Sequence, residues 1–342
     1  MLKHQIDGEE IEVEKADLIC EDSLDLSQCD SSVPQDYSHE EVDELILRIK
    51  RNCFKGFFKK AGDQLGVLED LIEKAKSEER KIPNDHTHFI NSEEANRLRE
   101  TREMLDQCLK SMIRFEEDWK LYKDGGDWKI FNKPDTFVRG SNGYEFGIET
   151  IIHSNYINPV VMINEIDLYK QWFPKVKGTE VKAKDGEFRK LVYQELEFPC
   201  PFSNRDLVMN VVGCILPEQN ALCSICKSEE SSWYGNNGPA PIDGIVRMKL
   251  HNSFSYLQIL NDDETLLRVM INIDFKLKFV PDWLINYFIV PRLSEWIENI
   301  KDNCLNFKGT YYESRLHEGS VYRYIKSRLE KEEEDQPEDE GE

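Results

Sequence analysis

The stretch "FPCPFSNRDLVMNVVGCIL", residues 198–216, joins two prolines, a polar Ser-Asn pair and an Arg-Asp couple to a long apolar run. Pro199 and Pro201 hold the chain extended and cannot donate to a strand ladder, so they belong at the entrance or edge of a strand. We expect Arg205 and Asp206 to form a local charge pair or to fix the backbone of the turn. The stretch therefore predicts a turn followed by a strand.

Further segments with a period of two lie on both sides of this stretch and predict an antiparallel sheet. In the last of them, apolar residues occupy the odd-numbered positions from Leu267 to Phe275, and most even-numbered positions are polar, which predicts one core face and one wet face. The segments are DWKIFN (127–132), YEFGIETIIHS (144–154), FRKLVYQELEF (188–198), LVMNVVGCIL (207–216), ALCSICKS (221–228), GIVRMKLH (244–251), SYLQIL (255–260) and LLRVMINIDFKL (266–277).

Helical periodicity dominates the chain from Ser38 to about Tyr122. A second long helix follows a cap at Asn91 or Ser92, and its apolar residues recur every seven positions in a packing stripe. This stripe predicts a helix that lies on a sheet or on another helix, and a short dimerising coiled coil is the alternative. The stripe consists of Leu98, Leu105, Met112 and Trp119.

Residues 157–174 predict one or two short helices between strands, and residues 281–305 predict a long closing helix. Pro281 suits the first turn of the closing helix, and Pro291 should bend it. The fold class is therefore α+β, with a curved antiparallel sheet that needs the closing helix to cover its concave face. Such a sheet around a helix tends to leave an interior space.

The net charge of −22 arises mainly at the two ends of the 342-residue chain. Residues 1–40 carry 12 acids against 2 bases and residues 330–342 carry 9 against 1, which leaves a net charge of −4 for the remainder. Such tails predict disorder. We expect no nucleic-acid partner, because no domain-wide basic surface is offered to phosphates. The absence of an apolar signal core and the nine unevenly spaced cysteines predict a cytoplasmic protein with reduced thiols.

Motifs for catalysis and metal binding are weak. The sequence contains no Walker loop, no Gly-x-Gly-x-x-Gly, no Gly-x-Ser-x-Gly and no His-Glu-x-x-His. His86 and His88 lack a further ligand pair, and Cys223 and Cys226 would face opposite sides of a strand. We therefore predict a non-enzyme with no catalytic residues, no metal and no cofactor.

One basic segment stands out, "RIKRNCFKGFFKKAG" at residues 48–62, with six bases, three phenylalanines and no acids. It predicts either an interfacial helix that docks on anionic lipid or an ordinary amphipathic helix whose phenylalanines enter the core. The residues that would dock on a membrane are Lys50, Arg51, Phe54, Lys55, Phe58 and Lys59.

The segment "ELEFPCPFSNRDLVMNVVG" resembles the signature of the START (StAR-related lipid-transfer) domain family. "GIVRMKLHNSFSYLQIL", "VPDWLINYF" and "LYKQWFPKV" are similar to other family segments in order and spacing, and together the resemblance covers roughly residues 105–305. It implies a helix-grip fold, a curved sheet wrapped around a C-terminal helix over a tunnel of lipid size. The chain lacks an arginine at the short helices for a phosphate clamp, which argues against phosphatidylcholine.

The resemblance also implies lipid contacts in the interior, and the start of the closing helix is our candidate for a gate. For each candidate residue, ordinary core packing is the alternative. Arg247 is a lumen candidate by resemblance, whereas its alternation with Val246 and Met248 predicts the opposite face, and both interpretations stay open. The candidates for lipid binding are Tyr193, Arg205, Met209, Arg247, Met248, Tyr256, Ile271 and Phe275, with Trp283, Asn286 and Tyr287 as the gate.

We predict non-enzymatic lipid binding and intracellular lipid transfer, with a phospholipid, sterol or sphingolipid as partner and transient, peripheral contact with membranes. The alternatives are a lipid-sensing scaffold that acts through its N-terminal helices and a hydrolase or cyclase on a helix-grip scaffold. The predicted organisation is an acidic disordered tail (1–37), a helical extension (38–104), a START-like lipid-binding domain (105–307) and a C-terminal segment with an acidic disordered tail (308–342).

Overall fold

The computed structural model describes residues 4–6, 9–11, 36–113, 119–133, 144–228, 239–277 and 282–329. Residues 229–238, Pro281 and most of both acidic tails lie outside these residues. The segment 228–244, which the sequence marks as a long insertion without an assigned role, is thus described only in part. The helices are α1 (His39–Phe54), α2 (Phe58–Ser77), α3 (Asn84–Ile90), α4 (Glu93–Ile113), α5 (Ile157–Asn164), α6 (Asp282–Leu284), α7 (Val290–Leu305), α8 (Tyr311–Glu318) and α9 (Ser320–Leu329).

A short hairpin pairs β1 (His4–Ile6) with β2 (Glu9–Ile11), and a ten-stranded sheet forms the centre of the fold. Its order is β3-β4-β5-β12-β11-β9-β8-β7-β6, and β10 pairs with the start of β8 in parallel. The strands are β3 (Lys120–Asp124), β4 (Trp128–Asn132), β5 (Tyr144–Ile152), β6 (Val176–Asp185), β7 (Arg189–Leu196), β8 (Arg205–Leu216), β9 (Ala221–Ser228), β10 (Val246–Arg247), β11 (Lys249–Asn261) and β12 (Glu264–Asp274).

The predicted strands are present, with three differences. β3 replaces the end of the predicted helical region, and its five residues are all exposed at one edge of the sheet. β6 was not predicted, because at the other edge it exposes lysines instead of an apolar alternation. The two segments predicted at 244–251 and 255–260 contribute to one strand, β11, which contains a bulge between Leu250 and Asn252.

The inner face of the sheet packs against the closing helix, as the predicted helix-grip arrangement requires. Ile297, Ile300 and Cys304 of α7 are almost fully buried in the inner core. α6 and α7 are joined by a π-helical turn, Ile285–Ile289, next to Pro291. Two short helical segments are present where one or two were predicted, α5 and the 3₁₀ turn Ile166–Gln171, and both contribute residues to the inner core.

The outer face of the sheet is covered by α1–α4, so the prediction of a wet face on β12 is wrong. Met270 of β12 packs against the outer core, and Arg268 donates from Nη1 to the carbonyl oxygen of Met112 at the end of α4. Leu98 and Leu105 of the predicted stripe are buried in the same outer core. The prediction that this helix lies on a sheet is confirmed. Helices therefore cover both faces of the sheet, and on the outer face of β12 the polar residues are half-buried and paired, Arg268 with Glu149 and Asn272 with Glu145.

The C-terminal helices α8 and α9 extend the inner core beyond the predicted domain boundary at residue 307. Tyr312 of α8 and Tyr322, Ile325 and Leu329 of α9 are buried with the residues of α5 and the sheet. The Trp172 indole donates to the Tyr312 hydroxyl at 2.7 Å. At the other end of the chain, Tyr37 is also buried and lies against His86. The domain limits themselves stay a prediction.

Candidate functional site

The inner cavity lies between the inner face of the sheet and the helices α5 and α9. The space among its lining atoms is about 680 Å³ when the open solvent at its mouth is counted with it. Its lining is mostly apolar, and polar groups enter at a few positions. The lining residues are Val160, Ile163, Asn164, Ile166, Glu187, Phe188, Lys190, Val211, Gly213, Cys214, Leu222, Cys223, Ser224, Ser255, Leu257, Val321 and Ile325.

The floor of the inner cavity is a row of small residues across three neighbouring strands. Gly213 of β8 pairs with Ser224 of β9, which pairs with Ser255 of β11. Phe188 borders the row, because its carbonyl oxygen accepts from the Gly213 amide at 2.8 Å. Inner-face positions elsewhere in these strands carry larger side chains such as Met209. The small floor residues therefore leave space between the sheet and the helices above it.

Lys190 brings a positive charge to the wall of the inner cavity. Its side chain is only 8% exposed, and Nζ donates to Asn164 at the end of α5, to Oδ1 at 2.7 Å and to the carbonyl oxygen at 3.1 Å. Burial lowers the pKa of Lys190 to about 8, and the negative charge of Glu165 opposes that shift. The ammonium group is thus still mainly charged at neutral pH.

Helix α9 is the cover of the inner cavity. Val321 and Ile325 face the space, and Tyr322 between them is 1% exposed. The Tyr322 hydroxyl accepts from Asn164 Nδ2 at 2.7 Å and donates to Glu165 Oε1. A polar network thus ties the cover to α5 and, through Asn164, to Lys190.

Five of the predicted lipid-binding residues lie on the inner face of the sheet, but none of them lines the inner cavity. Met209, Met248 and Phe275 are buried in the inner core, and Ile271 packs against it. Arg205 is 2% exposed and donates from Nε to the Phe275 carbonyl oxygen at 3.2 Å. Nη1 of the same guanidinium donates to the Ser203 carbonyl oxygen, so the expected role in fixing the turn is present.

Three predicted lipid-binding residues lie on the outer face, where they cannot contact a ligand in the inner cavity. Arg247 makes a bidentate ion pair with Asp206, with Nε–Oδ1 at 2.7 Å and Nη2–Oδ2 at 2.9 Å. Tyr193 shares its strand face with Arg189, whose guanidinium stacks on Phe58 of α2. This placement corrects the prediction for both side chains. The alternation with Val246 and Met248, rather than the resemblance, indicated the face of Arg247.

Tyr256 is the third predicted lipid-binding residue that lies on the outer face. Its backbone pairs with that of Cys223, and its side chain is buried in the outer core beside α4. Met248 and Tyr256 would share a face on a regular strand, but the bulge after Leu250 reverses the alternation. The aromatic ring therefore moves from the inner face to the outer face.

The predicted gate residues lie away from the inner cavity. Trp283 is 41% exposed and stacks on Phe202, with ring centroids 5.8 Å apart. Tyr287 is 81% exposed, and Asn286 accepts from the Tyr122 hydroxyl of β3. None of the three is among the lining residues. Their role as a gate stays a prediction.

The basic segment spans the end of α1 and the start of α2. Lys50, Arg51 and Phe54 are exposed, and Lys55 and Lys59 are half-buried. Phe58 is 2% exposed, so the prediction that it docks on a membrane is wrong, because its ring is held in the outer core. Lys50 lies over the Phe89 ring, and Lys59 pairs with Glu218 at 3.4 Å.

His86, Cys223 and Cys226 have structural partners. His86 is buried, with Nδ1 2.8 Å from the Tyr37 hydroxyl and Nε2 2.8 Å from Asp43 Oδ1. Cys223 lies on the outer face, 3.6 Å from Cys108 of α4, while Cys226 packs against the inner core. Within the described residues, no group of three or more His, Cys, Asp or Glu side chains could hold a metal ion.

Lys190 and the small floor residues were missed by the sequence interpretation. In "FRKLVYQELEF", Lys190 stands two positions from Phe188 and from Val192, so a period of two places it on the same face as apolar residues. That position was the available signal. No comparable signal marks Gly213, Ser224 and Ser255 as neighbours, because their alignment depends on the register of three strands.

No protein-family model matches the chain, and no curated protein matches its sequence. Solved structures do match. Human STARD10 superimposes with a TM-score of 0.53 at 16% identity, over 68% of this chain and 87% of that chain. Human StAR-related lipid transfer protein 5 superimposes with a TM-score of 0.51 at 17% identity, over 60% of this chain and 96% of that chain. The predicted START-like helix-grip fold is confirmed.

Proposed function

We propose that this chain binds a lipid in the inner cavity and transfers it between membranes without a chemical reaction. The observation that carries the proposal is the row of small residues Gly213, Ser224 and Ser255 beneath α5 and α9, which leaves an apolar space in the protein interior. The fold supports the same proposal, because it is shared with a human protein named for lipid transfer.

The driving force is the removal of the lipid's apolar part from water. About ten buried methylenes at ~0.8 kcal/mol each give on the order of 8 kcal/mol before ordering costs, enough to make extraction from a bilayer feasible. The ligand would enter by displacement of α9, which is the last described helix and contributes Val321 and Ile325 to the lining. A phospholipid, sterol or sphingolipid is the expected class of cargo.

Contact with membranes would be transient and peripheral, on a cytoplasmic protein. Among the described residues, no helix is both long and apolar enough to cross a bilayer. The exposed members of the basic segment, Lys50, Arg51 and Phe54, with the half-buried Lys55 and Lys59, are the proposed membrane contact.

The test is lipid uptake by the full chain. The protein is incubated with liposomes of mixed phospholipids, cholesterol and sphingomyelin, re-isolated, and analysed by native mass spectrometry and lipid extraction. We expect one bound lipid per chain. Gly213→Val should reduce occupancy at least tenfold, because a β-carbon at Gly213 would lie at an ordinary contact distance of 3.6 Å from Phe188 and the valine methyls would fill the floor.

Gly178→Val is the matched control, since Gly178 also lies in a strand and a β-carbon there would meet nothing within 4 Å. Equal lipid occupancy in both valine variants would contradict the proposed location. Failure of the wild-type protein to take up any lipid would contradict the proposed function.

An enzyme that acts on the bound lipid is the second candidate, because Lys190 and Glu187 both line the inner cavity and could serve as an acid and a base, respectively. The same liposome experiment distinguishes an enzyme from a carrier. A carrier returns the extracted lipid with its mass unchanged, whereas an enzyme returns a product of different mass.

A further inference from the structure

Lys190 is a buried cation whose recorded partners are both neutral. Two of its three N–H groups are directed at Asn164, one to the amide oxygen and one to the backbone carbonyl oxygen. Within the described part of the chain, no carboxylate lies within 4.0 Å of Nζ. A buried charge without a counter-charge raises the free energy of the folded protein, and removal of the remaining water raises it further. A ligand that excludes water from the inner cavity would therefore have to compensate this charge.

Part of the role of Lys190 is structural. Asn164 is the last residue of α5, and a cation at a helix C-terminus interacts favourably with the terminal carbonyl groups. A neutral donor would satisfy the same carbonyl, and it would avoid the cost of burying a charge in an apolar wall. The capping contact thus accounts for the position of the side chain but leaves its charge unexplained.

The charged groups around Lys190 do not neutralise it. Glu165 and Asp167 act on it from a distance, and their own nearest recorded partners are Tyr322 and Arg315 of the C-terminal helices. Glu187 is exposed at the rim of the inner cavity, and Lys184 on the neighbouring strand adds a further positive charge. The interior of the inner cavity therefore offers one positive charge to a ligand.

The other polar groups of the cavity floor are hydroxyls. Ser224 and Ser255 lie side by side in the row that begins at Gly213, and Lys190 is one inner-face position beyond Phe188, which borders that row. Ser224 lies two strands and Ser255 three strands from Lys190, so a carboxylate head group would pair with the ammonium group alone. The apolar residues Leu222, Leu257 and Ile325 would surround the hydrocarbon part.

We propose that the inner cavity selects an amphiphile with a single negative charge, a long-chain carboxylate, whose head group pairs with Lys190. This inference rests on the proposed lipid binding, and it replaces the expected phospholipid, sterol or sphingolipid with a fatty acid as the preferred ligand. One lysine compensates one charge, so a carboxylate fits better than a phosphate monoester, which carries up to two. A zwitterionic head group would bring a second cation next to Lys190.

The experiment compares two probes with the same chain, oleate and oleyl alcohol, by titration of the full-length protein at pH 7 below their critical aggregation concentrations. We expect oleate to bind wild-type protein about tenfold or more tightly than oleyl alcohol, which is the range for a hydrogen bond to a charged group. Lys190→Met should abolish this preference and leave the affinity for oleyl alcohol within about threefold. Lys190→Arg, which keeps the charge, should retain part of the preference.

Lys184→Met is the matched control, because Lys184 is exposed in β6 directly opposite Lys190 in the strand register. It should leave the preference for oleate unchanged. Circular dichroism of each variant establishes that it is folded, and binding of oleyl alcohol shows that the cavity is intact.

The outcomes distinguish a failure of the carboxylate inference from a failure of the proposed lipid binding. Equal affinity of the wild-type protein for both probes, or a preference that persists in Lys190→Met, would overturn the carboxylate inference while lipid binding stands. No binding of either probe, together with no uptake from liposomes, would overturn the proposed function itself. Tighter binding of a long-chain phosphate monoester than of oleate would overturn the choice of a single charge.

Discussion

Arg205 and Asp206 are adjacent in sequence but project to opposite faces of the sheet. Arg205 fixes the turn on the inner face through backbone carbonyl oxygens, and Asp206 pairs with Arg247 on the outer face. Of the two roles expected for these neighbours, the charge pair is absent, because successive residues of a strand diverge, and the fixing of the turn backbone is present. The fully buried Asp206 carboxylate depends on Arg247 for its counter-charge.

This dependence predicts a large effect of Arg247→Ala on stability. Removal of the guanidinium leaves the Asp206 carboxylate buried without a partner, and we expect a loss of about 3 kcal/mol in the free energy of unfolding. The double variant Asp206→Ala/Arg247→Ala should be more stable than Arg247→Ala alone. Urea denaturation gives the free energy of unfolding of the wild-type protein, the single variant and the double variant.

Arg292→Ala is the control, because Arg292 forms an exposed pair with Glu295 on α7, and such pairs contribute less than about 1 kcal/mol. A loss for Arg247→Ala no greater than that for Arg292→Ala would show that the Asp206 pair does not support the outer face.

The lowered pKa of Lys190 predicts that the free energy of unfolding depends on pH. Its pKa is lowered to about 8 in the folded protein, from an ordinary value of 10.5. Between these values the unfolded chain binds the proton and the folded chain releases it, so stability rises with pH. The cost of burying the charge is fully present below pH 8 and is relieved by about pH 10.5.

The measurement is the difference between wild-type protein and Lys190→Met in unfolding free energy from pH 7 to pH 10, which removes the contribution of other titrating groups. We expect the wild-type protein to gain about 3 kcal/mol relative to the variant over the full range. A flat difference would mean that Lys190 is solvated in the folded protein.

Residue roles were predictable from sequence where the strand was regular. The period of two placed Met209, Ile271 and Phe275 on the inner face, and it indicated the outer face for Arg247. It failed at Tyr256, because one extra residue in the bulge of β11 inverts every later position. No local sequence pattern indicates that bulge.

Among the elements, α9 determines whether the inner cavity is closed. Its buried Tyr322 connects Asn164 with Glu165 of the α5 segment. Tyr322→Phe removes both hydrogen bonds and leaves Asn164 Nδ2 with its longer hydrogen bond to Glu165 Oε1 at 3.4 Å, which we expect to destabilise the contact between α9 and α5 by about 1–3 kcal/mol. Amide hydrogen exchange in α9 should become faster, while exchange in α7 should stay unchanged.

Tyr311→Phe serves as the matched control, since Tyr311 lies in the neighbouring helix α8 and is 71% exposed. Faster exchange in α9 for both variants, or for neither, would contradict the role of Tyr322 as the tie between cover and α5.

Helix α4 holds the N-terminal helices to the sheet through its apolar stripe. Leu105 is completely buried in the outer core, so Leu105→Ala should lower the free energy of unfolding by about 3 kcal/mol through the lost contacts and the cavity that remains. Leu47→Ala, at an α1 position that is 61% exposed, should change it by less than about 0.5 kcal/mol. Similar small losses at both positions would indicate that α4 does not pack on the sheet.

The elements with strong periodicity were predictable, and the edge strands were not. α1, α2, α4 and the central strands carry clear apolar patterns, whereas β3 and β6 bury one face little or not at all and present charges. The position of α8 and α9 over the inner core could not be predicted, because it depends on contacts with α5 that are distant in sequence.

At the scale of the whole molecule, the described part of the chain forms two apolar cores, one on each face of the sheet. Residues of β8, β9 and β11 alternate between the inner core around α7 and the outer core beneath α1–α4. A scaffold that binds partners through the N-terminal helices would thus have only their outward faces available. The helices are also part of the same folded unit as the sheet.

This arrangement predicts the effect of deleting residues 1–104. The truncated chain would expose the outer core, including Cys223, Ile225 and Phe254, and should aggregate or lose cooperative unfolding. A fragment of residues 105–342 that stays monomeric in gel filtration and unfolds cooperatively would show that the outer core is dispensable.

The central claim is that a lipid occupies the inner cavity, and the most direct measurement is a crystal structure of the protein re-isolated from mixed liposomes. We predict continuous electron density for a hydrocarbon chain between the floor row at Gly213, Ser224 and Ser255 and the cover residues Val321 and Ile325. Density at the exposed ring of Trp283, or an inner cavity free of hydrocarbon density in protein that carries lipid, would contradict the claim.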